Sequence, residues 1–211
     1  MKPLNTFCKT VIVIVKDLGL VEYQPICQLM QDFTADRADN TEDELWLLEH
    51  SPVFTQGTNG KDEHVLSAGS IPVIKTDRGG QVTYHGPGQL IAYTVFDLRR
   101  LGIGIREMVS RLENSAITLL DGMGINAQVR RDAPGVYVDG RKIAALGLRV
   151  KHGACYHGLS LNVDMDLTPF SYINPCGYPG MEVIDLKSLG YNMTMDQAKQ
   201  KFVSALDSRM Q

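Results

Sequence analysis

The chain has little net charge, few cysteines and no long apolar run, and each scarcity excludes a class of protein. Its 211 residues carry a formal net charge of -3, whereas non-specific nucleic-acid binders are normally basic. The 4 cysteines form no CxxC pair, so neither a zinc ribbon nor a redox dithiol is expected. The apolar run Val11–Val15 ends at Lys16, too soon for a signal-peptide core or a membrane span. We therefore predict a cytoplasmic protein with reduced thiols, no nucleic-acid partner and no membrane association.

Nucleotide and metal motifs are also scarce. The segment GMGINA at 122–127 matches a loose G-x-G-x-x-A pattern, but a dinucleotide site needs a strand before it and a helix after it. Here a helical pattern precedes the segment and a strand pattern follows. GTNGK at 57–61 lacks the spacing and the Ser/Thr of a P-loop. The 5 histidines show no metal-ligand spacing, so we predict no cofactor and no metal.

The first half of the chain mixes strand and helix patterns. Val11–Val15 is β-branched and is expected to form a buried strand. Pro25 suits the first turn of a helix through ICQLMQDFTADR. TEDELWLLEH at 41–50 is predicted as a second helix, because Thr41 and Glu44 have the spacing of a capping box.

The second half adds hairpins and two further helices. IPVIKT, QVTYH and QLIAYTVFDL read as strands, the last two joined as a hairpin at Gly86-Pro87-Gly88. Apolar residues at helical spacing predict an amphipathic helix over 105–120. Asp139-Gly140 predicts a hairpin turn, and Thr194 with Gln197 caps a C-terminal helix. The expected fold is α/β (α+β): a single domain over 1–211 with a mixed β-sheet and flanking helices.

The segment RGGQVTYHGPGQL at 78–90 is more than a turn. A hairpin explains its Gly-Pro-Gly but not Arg78-Gly79-Gly80, because two glycines at a strand entrance weaken the strand. Adjacent glycines are useful where backbone N–H groups must approach another molecule closely. Alternation divides the following side chains between two faces: Gln81, Thr83 and His85 on one, Val82 and Tyr84 on the other. We interpret the segment as ligand-contacting, with the ligand left open.

Cys176 lies in the Pro/Gly-rich loop INPCGYPGM, where partial exposure suits a nucleophile. Cys8, Cys27 and Cys155 lie on or beside regular elements, where inert core thiols are expected. A nucleophilic thiol needs a base or a cation beside it, and Lys142 is a candidate. The alternative for Lys142 is an edge-strand lysine that prevents aggregation, and spacing alone does not choose between the two.

Together these motifs resemble a known family. RGGQVTYHGPGQL, GRKIAALGLRV, HGLSLNV and NPCGYPGM occur in this order, with SPVFTQGTNGKDEHVL before them, and the chain resembles the lipoyl(octanoyl) transferases over nearly its whole length. The resemblance implies the biotin/lipoate protein ligase-like (class II synthetase-like) fold. It implies transfer of an octanoyl group from octanoyl-acyl carrier protein to a lysine of lipoyl domains of 2-oxoacid dehydrogenase complexes and of the glycine cleavage H protein, without ATP or metal.

The resemblance also assigns roles to residues. Cys176 matches the nucleophile, which would carry the acyl group as a thioester, and Lys142 matches the lysine that activates it. Three segments match the acyl-substrate site: Arg78, Gly79, Gly80, Gln81, Val82, Thr83, Tyr84 and His85; Ala145, Leu146 and Gly147; and Gly158, Leu159 and Ser160. The depth of the site is expected to depend on Tyr84, Leu146 and Leu159.

Acidic protein partners require local positive charge on a chain of net charge -3. Basic residues cluster in sequence near the expected site, and we interpret them as a docking patch: Arg130, Arg131, Arg141, Lys142, Arg149, Lys151 and His152. Solvated strand ends are the alternative. A monomer is expected, because no surface stripe indicates a partner helix.

Three other functions stay open on the residues alone. They are an ATP-dependent lipoate or biotin ligase, a non-catalytic acyl-binding or carrier-docking protein, and a thioesterase in which water resolves the acyl-enzyme. A ligase would depend on ATP. A binding protein would bind the carrier even after Cys176→Ala and would form no product in the wild type, and a thioesterase would release free octanoate.

Overall fold

The computed structural model describes residues 13–210. Its strands are β1 Val13–Val21, β2 Asp43–His50, β3 Val53–Gln56, β4 Val73–Lys75, β5 Val82–His85, β6 Gln89–Asp97, β7 Gln128–Val129, β8 Val136–Val138, β9 Arg141–Lys151 and β10 Ala154–Asn162. Its α-helices are α1 Tyr23–Ala35, α2 Leu98–Leu101, α3 Ile105–Asp121 and α4 Met195–Met210. Within 13–210, none of the helices has the length and hydrophobicity needed to span a bilayer.

The strands form a large mixed sheet and a small one. The large sheet has the order β1-β2-β6-β10-β9-β8-β7 and the small sheet the order β4-β3-β5. In the large sheet β1 runs parallel to β2, whereas the pairs through β6, β10 and β9 are antiparallel. Helices α3 and α4 share one core with the large sheet, and α1 packs on its other face. The predicted α/β class, a mixed sheet with flanking helices, is confirmed.

The segment predicted as a helix over 41–50 is instead strand β2, so that prediction is wrong. Its side chains alternate between the two cores: Leu45 and Leu47 on the α3/α4 side, Trp46 and Leu48 on the α1 side. The Thr41 hydroxyl caps no helix, because it accepts a hydrogen bond from Ala38 N at 2.9 Å. Burial on both faces of a sheet gives a nearly continuous apolar strand, and this tertiary context outweighs the local capping signal.

The Gly86–Gly88 segment is a crossover between sheets, not the predicted hairpin. Strand β5 pairs with β3 in the small sheet, whereas β6 lies between β2 and β10 in the large one. A turn remains, in which Gln89 N donates to Gly86 O at 3.2 Å. Gly88 has φ +83°, and a Cβ there would collide with the Asp164 carbonyl. The glycines therefore let the chain turn sharply from one sheet into the other.

The strand expected over 11–15 is confirmed for residues 13–15, which begin β1, but β1 is an edge strand, so the expectation that this strand is buried is wrong. Val15 is 45% exposed, and β1 pairs with β2 alone. Residues 11 and 12 of that prediction, and Cys8, lie outside the described residues. An edge strand exposes one row of backbone groups and often its side chains as well.

The remaining local predictions are confirmed. Helix α1 holds Pro25 near its start, and α3 leads to β7 through the GMGINA turn. Asp139 and Gly140 have φ values of 49° and 79°, as a tight β8–β9 turn requires. Thr194 N donates to Gln197 Oε1 at 3.0 Å, and Gln197 N donates to Thr194 Oγ1 at 3.2 Å, which is a capping box at α4.

Candidate active site

A cavity of about 600 Å³ lies where the small sheet meets the large one. It falls within the size range of small-molecule sites. Nearly all the residues expected to contact the acyl group line it: Arg78, Gly79, Gly80, Gln81, Val82, Thr83, His85, Ala145, Leu146, Gly147, Gly158, Leu159 and Ser160. Three segments that are far apart in sequence thus line the same cavity.

Tyr84 is the exception, and it does not line the cavity. It is 3% exposed and packs in the core of the small sheet, with its ring centroid 5.6 Å from Phe54 and 5.5 Å from Phe170. The alternation of β5 sends Tyr84 to the face opposite Thr83 and His85. The expectation that Tyr84 sets the depth of the site is therefore wrong.

The glycine-rich loop at Arg78–Gly80 docks directly on strand β9. Gly79 N donates to Leu148 O at 2.9 Å. A Cβ on Gly147 would lie 2.9 Å from Gly79 O, closer than side-chain carbons approach other atoms. Glycine in both segments therefore allows backbone to meet backbone at the cavity wall.

The Arg78 side chain stabilises this loop through hydrogen bonds. Its side chain is buried, and its guanidinium donates to Thr55 O at 2.5 Å and to Gln81 O at 2.8 Å. Burial lowers the pKa of Arg78, but guanidinium stays charged in proteins. The loop therefore brings a buried positive charge to the cavity wall.

Cys176 also lines the cavity, in a single 3-10 turn over Pro175–Gly177. Its backbone is left-handed, with φ 56° and ψ 17°, and Gly177 follows with φ 79°. A non-glycine residue there costs about 1–3 kcal/mol, and such strain is concentrated at functional sites. The side chain is partly exposed, as the Pro/Gly-rich loop predicts.

Lys142 contacts Cys176. Its Nζ donates to Cys176 Sγ at 3.0 Å and to Pro134 O at 3.1 Å, and it lies 5.2 Å from the centroid of the Tyr137 ring. The residue is 3% exposed, and its strand β9 is interior, between β8 and β10. The alternative of an aggregation-preventing lysine on a sheet edge is therefore wrong.

Backbone pairing holds the lysine and the cysteine together. Lys142 N donates to Glu182 O at 2.9 Å, and Ile184 N donates to Lys142 O at 3.0 Å. The segment that follows the Cys176 turn thus lies alongside the start of β9. Two side chains separated by 34 positions meet because of this pairing.

The charge state of Lys142 depends on Cys176. Burial by itself would lower the pKa of Lys142, but the charge and hydrogen bond of the Cys176 thiolate raise that pKa above its ordinary value. An ammonium and a thiolate in contact are what an activated thiol nucleophile requires.

Part of the cavity wall is aromatic. Tyr23, His85, Tyr93 and His157 line it, and burial lowers the pKa of His85 to about 3. Sequence reasoning missed Tyr23, Tyr93 and His157 as cavity residues, because each lies on an element with an ordinary core pattern.

One group of described side chains has metal-ligand chemistry, which sequence spacing did not reveal. The ligand atoms of Cys27, Asp77 and His157 all lie within 4.8 Å of one another. His157 Nε2 donates to Asp77 at 3.1 Å, and the Tyr156 hydroxyl donates to the same carboxylate. Burial raises the pKa of Asp77, but these hydrogen bonds outweigh it and lower that pKa. This network attaches the residue before the glycine loop to β10.

The basic residues expected to form a docking patch lie in separate places. Arg149 lies seven residues along β9 from Lys142, which is about 23 Å at ~3.3 Å per residue. Arg130 pairs with Asp132 at 2.6 Å. The fold therefore divides the sequence cluster between the Cys176 end of β9 and its far end.

The geometry defines the class of protein first: an α/β enzyme domain with a lysine–thiol pair beside a partly open small-molecule cavity. The chain belongs to the lipoyl protein ligase A/B catalytic domain family, whose model matches residues 22–207.

Curated relatives and solved structures agree with this assignment. The octanoyltransferase of Chromobacterium violaceum is 56% identical over 197 residues, covering 93% of this chain and 95% of the relative. That of Thiobacillus denitrificans is 58% identical, covering 92% and 88%. Lipoate-protein ligase A bound with ATP has a similar fold, with a TM-score of 0.75, 14% identity and coverage of 94% and 84%. Biotin protein ligase from Aquifex aeolicus has a TM-score of 0.57, 8% identity and coverage of 93% and 68%. The expected ligase-like fold is confirmed.

Proposed function

We propose that this protein is an octanoyltransferase that moves an octanoyl group from octanoyl-acyl carrier protein to a lysine of lipoyl-dependent proteins. The observation that carries the proposal is the Lys142–Cys176 contact at 3.0 Å beside a cavity of about 600 Å³. Relatives 56–58% identical over most of the chain carry the name octanoyltransferase. The acceptors are lipoyl domains of 2-oxoacid dehydrogenase complexes and the glycine cleavage H protein.

In the first half-reaction the Cys176 thiolate attacks the thioester carbonyl of the carrier-bound octanoyl group. The tetrahedral intermediate collapses and expels the carrier thiolate, which takes the proton of the Lys142 ammonium and leaves Lys142 neutral. One thioester replaces another, so this step is nearly balanced in free energy. Beyond Ala144, β8 no longer pairs with β9, which leaves backbone groups of Ala145–Gly147 on that side as candidates to stabilise the oxyanion.

In the second half-reaction a neutral lysine amine of the acceptor attacks the Cys176 thioester. Acylation replaces the thiolate by a neutral group, and so removes the interaction that raises the pKa of Lys142. Burial then dominates and favours a neutral Lys142. Lys142 can therefore take the proton from the attacking amine, while the amide forms and the Cys176 thiolate leaves.

The cavity lining suits a saturated chain. Apolar side chains from four elements line it: Ile91 from β6, Ile105 and Val109 from α3, Leu146 from β9 and Leu159 from β10. An octanoyl chain would bury its methylenes against these groups, each worth ~0.8 kcal/mol.

The cellular setting is part of the same proposal. The mechanism needs a reduced Cys176, which a cytoplasmic location maintains. We also infer that the protein acts as a monomer and that Arg141, beside Lys142, is where acidic partners dock. Carrier binding that weakens as salt increases is expected for such docking, and size-exclusion chromatography with light scattering checks the monomer.

Intact-protein mass after incubation with octanoyl-acyl carrier protein, without ATP, tests the function. Wild type is expected to gain one octanoyl group, labile to hydroxylamine, and to lose it to an added lipoyl domain. Cys176→Ser should form no hydroxylamine-labile adduct. Modification of the lipoyl domain only with ATP would instead favour a ligase, and release of free octanoate in place of octanoyl-protein would favour a thioesterase.

A further inference from the structure

The peptide bond between Pro134 and Gly135 connects two groups that are not otherwise in contact. Its carbonyl, Pro134 O, accepts the hydrogen bond from Lys142 Nζ at 3.1 Å. Its amide, Gly135 N, donates to Glu113 Oε1 at 2.9 Å. One rigid, planar peptide unit therefore has the catalytic lysine at one end and a carboxylate at the other.

Glu113 is well placed to fix this peptide. It lies in the middle of α3 (Ile105–Asp121), a long helix packed against α4 and the large sheet. Burial raises the pKa of Glu113, whereas its hydrogen bond to Gly135 N and the charge of Lys142 lower that pKa without outweighing burial. Its carboxylate thus accepts a hydrogen bond from the loop and also interacts electrostatically with Lys142.

Other contacts hold the neighbouring residues of the loop: the Tyr137 hydroxyl donates to Ala133 O at 2.7 Å, and the Tyr178 hydroxyl donates to Asp132 O at 2.5 Å. The Gly135 amide itself is held by Glu113. Gly135 has φ +141°, and a Cβ there would lie 2.7 Å from Ala144 O and 3.1 Å from Lys142 Cε. The absence of a side chain lets the lysine pass alongside, but it also leaves the peptide without side-chain packing of its own.

We infer that Glu113 is a positioning residue that orients the Pro134–Gly135 peptide so that its carbonyl holds the Lys142 ammonium against Cys176. The inference rests on the proposed function, which makes the Lys142–Cys176 pair catalytic. An amide that donates to a carboxylate is polarised, which strengthens its carbonyl as an acceptor. Without Glu113 the orientation of the peptide is less restrained, and the hydrogen bond from the buried ammonium to Pro134 O is weakened.

Glu113→Ala, Glu113→Gln and Glu107→Ala form a matched set of variants. Glutamine keeps an oxygen that accepts from Gly135 N, so Glu113→Gln tests orientation apart from charge. Glu107 is a glutamate on the same helix, exposed and paired with Arg111 at 3.1 Å, and serves as the control. Circular dichroism melts establish that each variant is folded.

Two measurements distinguish a positioning role of Glu113 from a general loss of activity. For Glu113→Ala we expect kcat for octanoyl transfer to fall by about tenfold with an unchanged KM, the effect of one weakened hydrogen bond to a charged group. The rate of Cys176 alkylation by iodoacetamide should fall similarly at neutral pH, and its pH–rate profile should move to higher pH. The kcat and the alkylation rate of Glu113→Gln should stay within about threefold of the wild-type values. Those of Glu107→Ala should equal the wild-type values.

Alkylation does not depend on octanoyl transfer, so it decides the inference by itself. Wild-type alkylation kinetics in Glu113→Ala would overturn the inference, as would a Glu113→Gln variant as slow as Glu113→Ala. Wild type that alkylates normally but transfers no octanoyl group would overturn the proposed function instead, with the alkylation contrast still testing Glu113.

Discussion

Replacing Lys142 by methionine should abolish most activity without destabilising the protein. The ammonium is 3% exposed and lies 3.0 Å from Cys176 Sγ, so the variant removes a charge-assisted hydrogen bond from a site shielded from solvent. Such a bond contributes ~1.5–3 kcal/mol, which corresponds to a roughly ten- to hundredfold slower acylation of Cys176. Deacylation should slow further, by about 10²- to 10⁴-fold, because the proposed general base is also lost.

Stability should respond differently. Burying a charge opposes folding, and removing one partner of a buried ion pair is costly only where the other partner must stay charged. Cys176 can take up a proton and become a neutral thiol. Methionine fills nearly the same volume beside the Tyr137 ring, which lies 5.2 Å from Lys142 Nζ. The melting temperature of Lys142→Met should therefore equal or exceed that of wild type.

Rapid-quench mass spectrometry measures both half-reactions. The octanoyl adduct on Cys176 gives the acylation rate, and its discharge to a lipoyl domain gives the second rate. Lys201→Met is the matched control, since Lys201 is exposed on α4. Acylation of Lys142→Met within threefold of the wild-type rate would show that the contact with Cys176 does not activate the thiol.

Further predictions concern the cavity and its buried histidines. Gly147→Ala should force the glycine loop off β9, raising KM for octanoyl-acyl carrier protein and lowering stability by about 1–3 kcal/mol, as steady-state kinetics and urea unfolding can show. Leu146→Phe should shift preference toward shorter acyl chains, whereas Tyr84→Leu should lower stability and leave chain preference unchanged in an acyl-chain competition assay. Burial lowers the folded-state pKa of His50 to about 4 and of His85 to about 3, below ~6.5 for the unfolded chain. Because the unfolded state binds these protons first, stability should fall as pH drops below 6.5, by ~2 kcal/mol per histidine at pH 5, and pH-independent urea midpoints would contradict this.

Local elements were predictable from the sequence because their causes lie within a few residues. Helix α3 follows from its apolar spacing, the β8–β9 turn from Asp139-Gly140, and the start of α4 from Thr194 and Gln197. The capping-box spacing at Thr41 predicted a helix where β2 lies. That prediction failed because β2 is buried on both faces and its partners β1 and β6 come from distant segments. The prediction at Gly86–Gly88 failed for the same reason. The sequence showed that the chain turns there, but it did not show which sheet each flanking strand joins.

The same distinction between local and long-range causes applies to the candidate site. Residue type, breaker-rich loops and family motifs singled out Cys176, Lys142 and the three cavity segments as candidates before any coordinates. The contact between Lys142 and Cys176 depends on backbone pairing between β9 and residues 182–184. The Pro134 carbonyl reaches Lys142 from a different segment, the loop before β8. Tyr84, expected in the site, lies outside it. By itself the sequence determined which chemical groups are present; the tertiary structure decided which of them meet, because strand pairing sets neighbours across long separations and burial sets their charge.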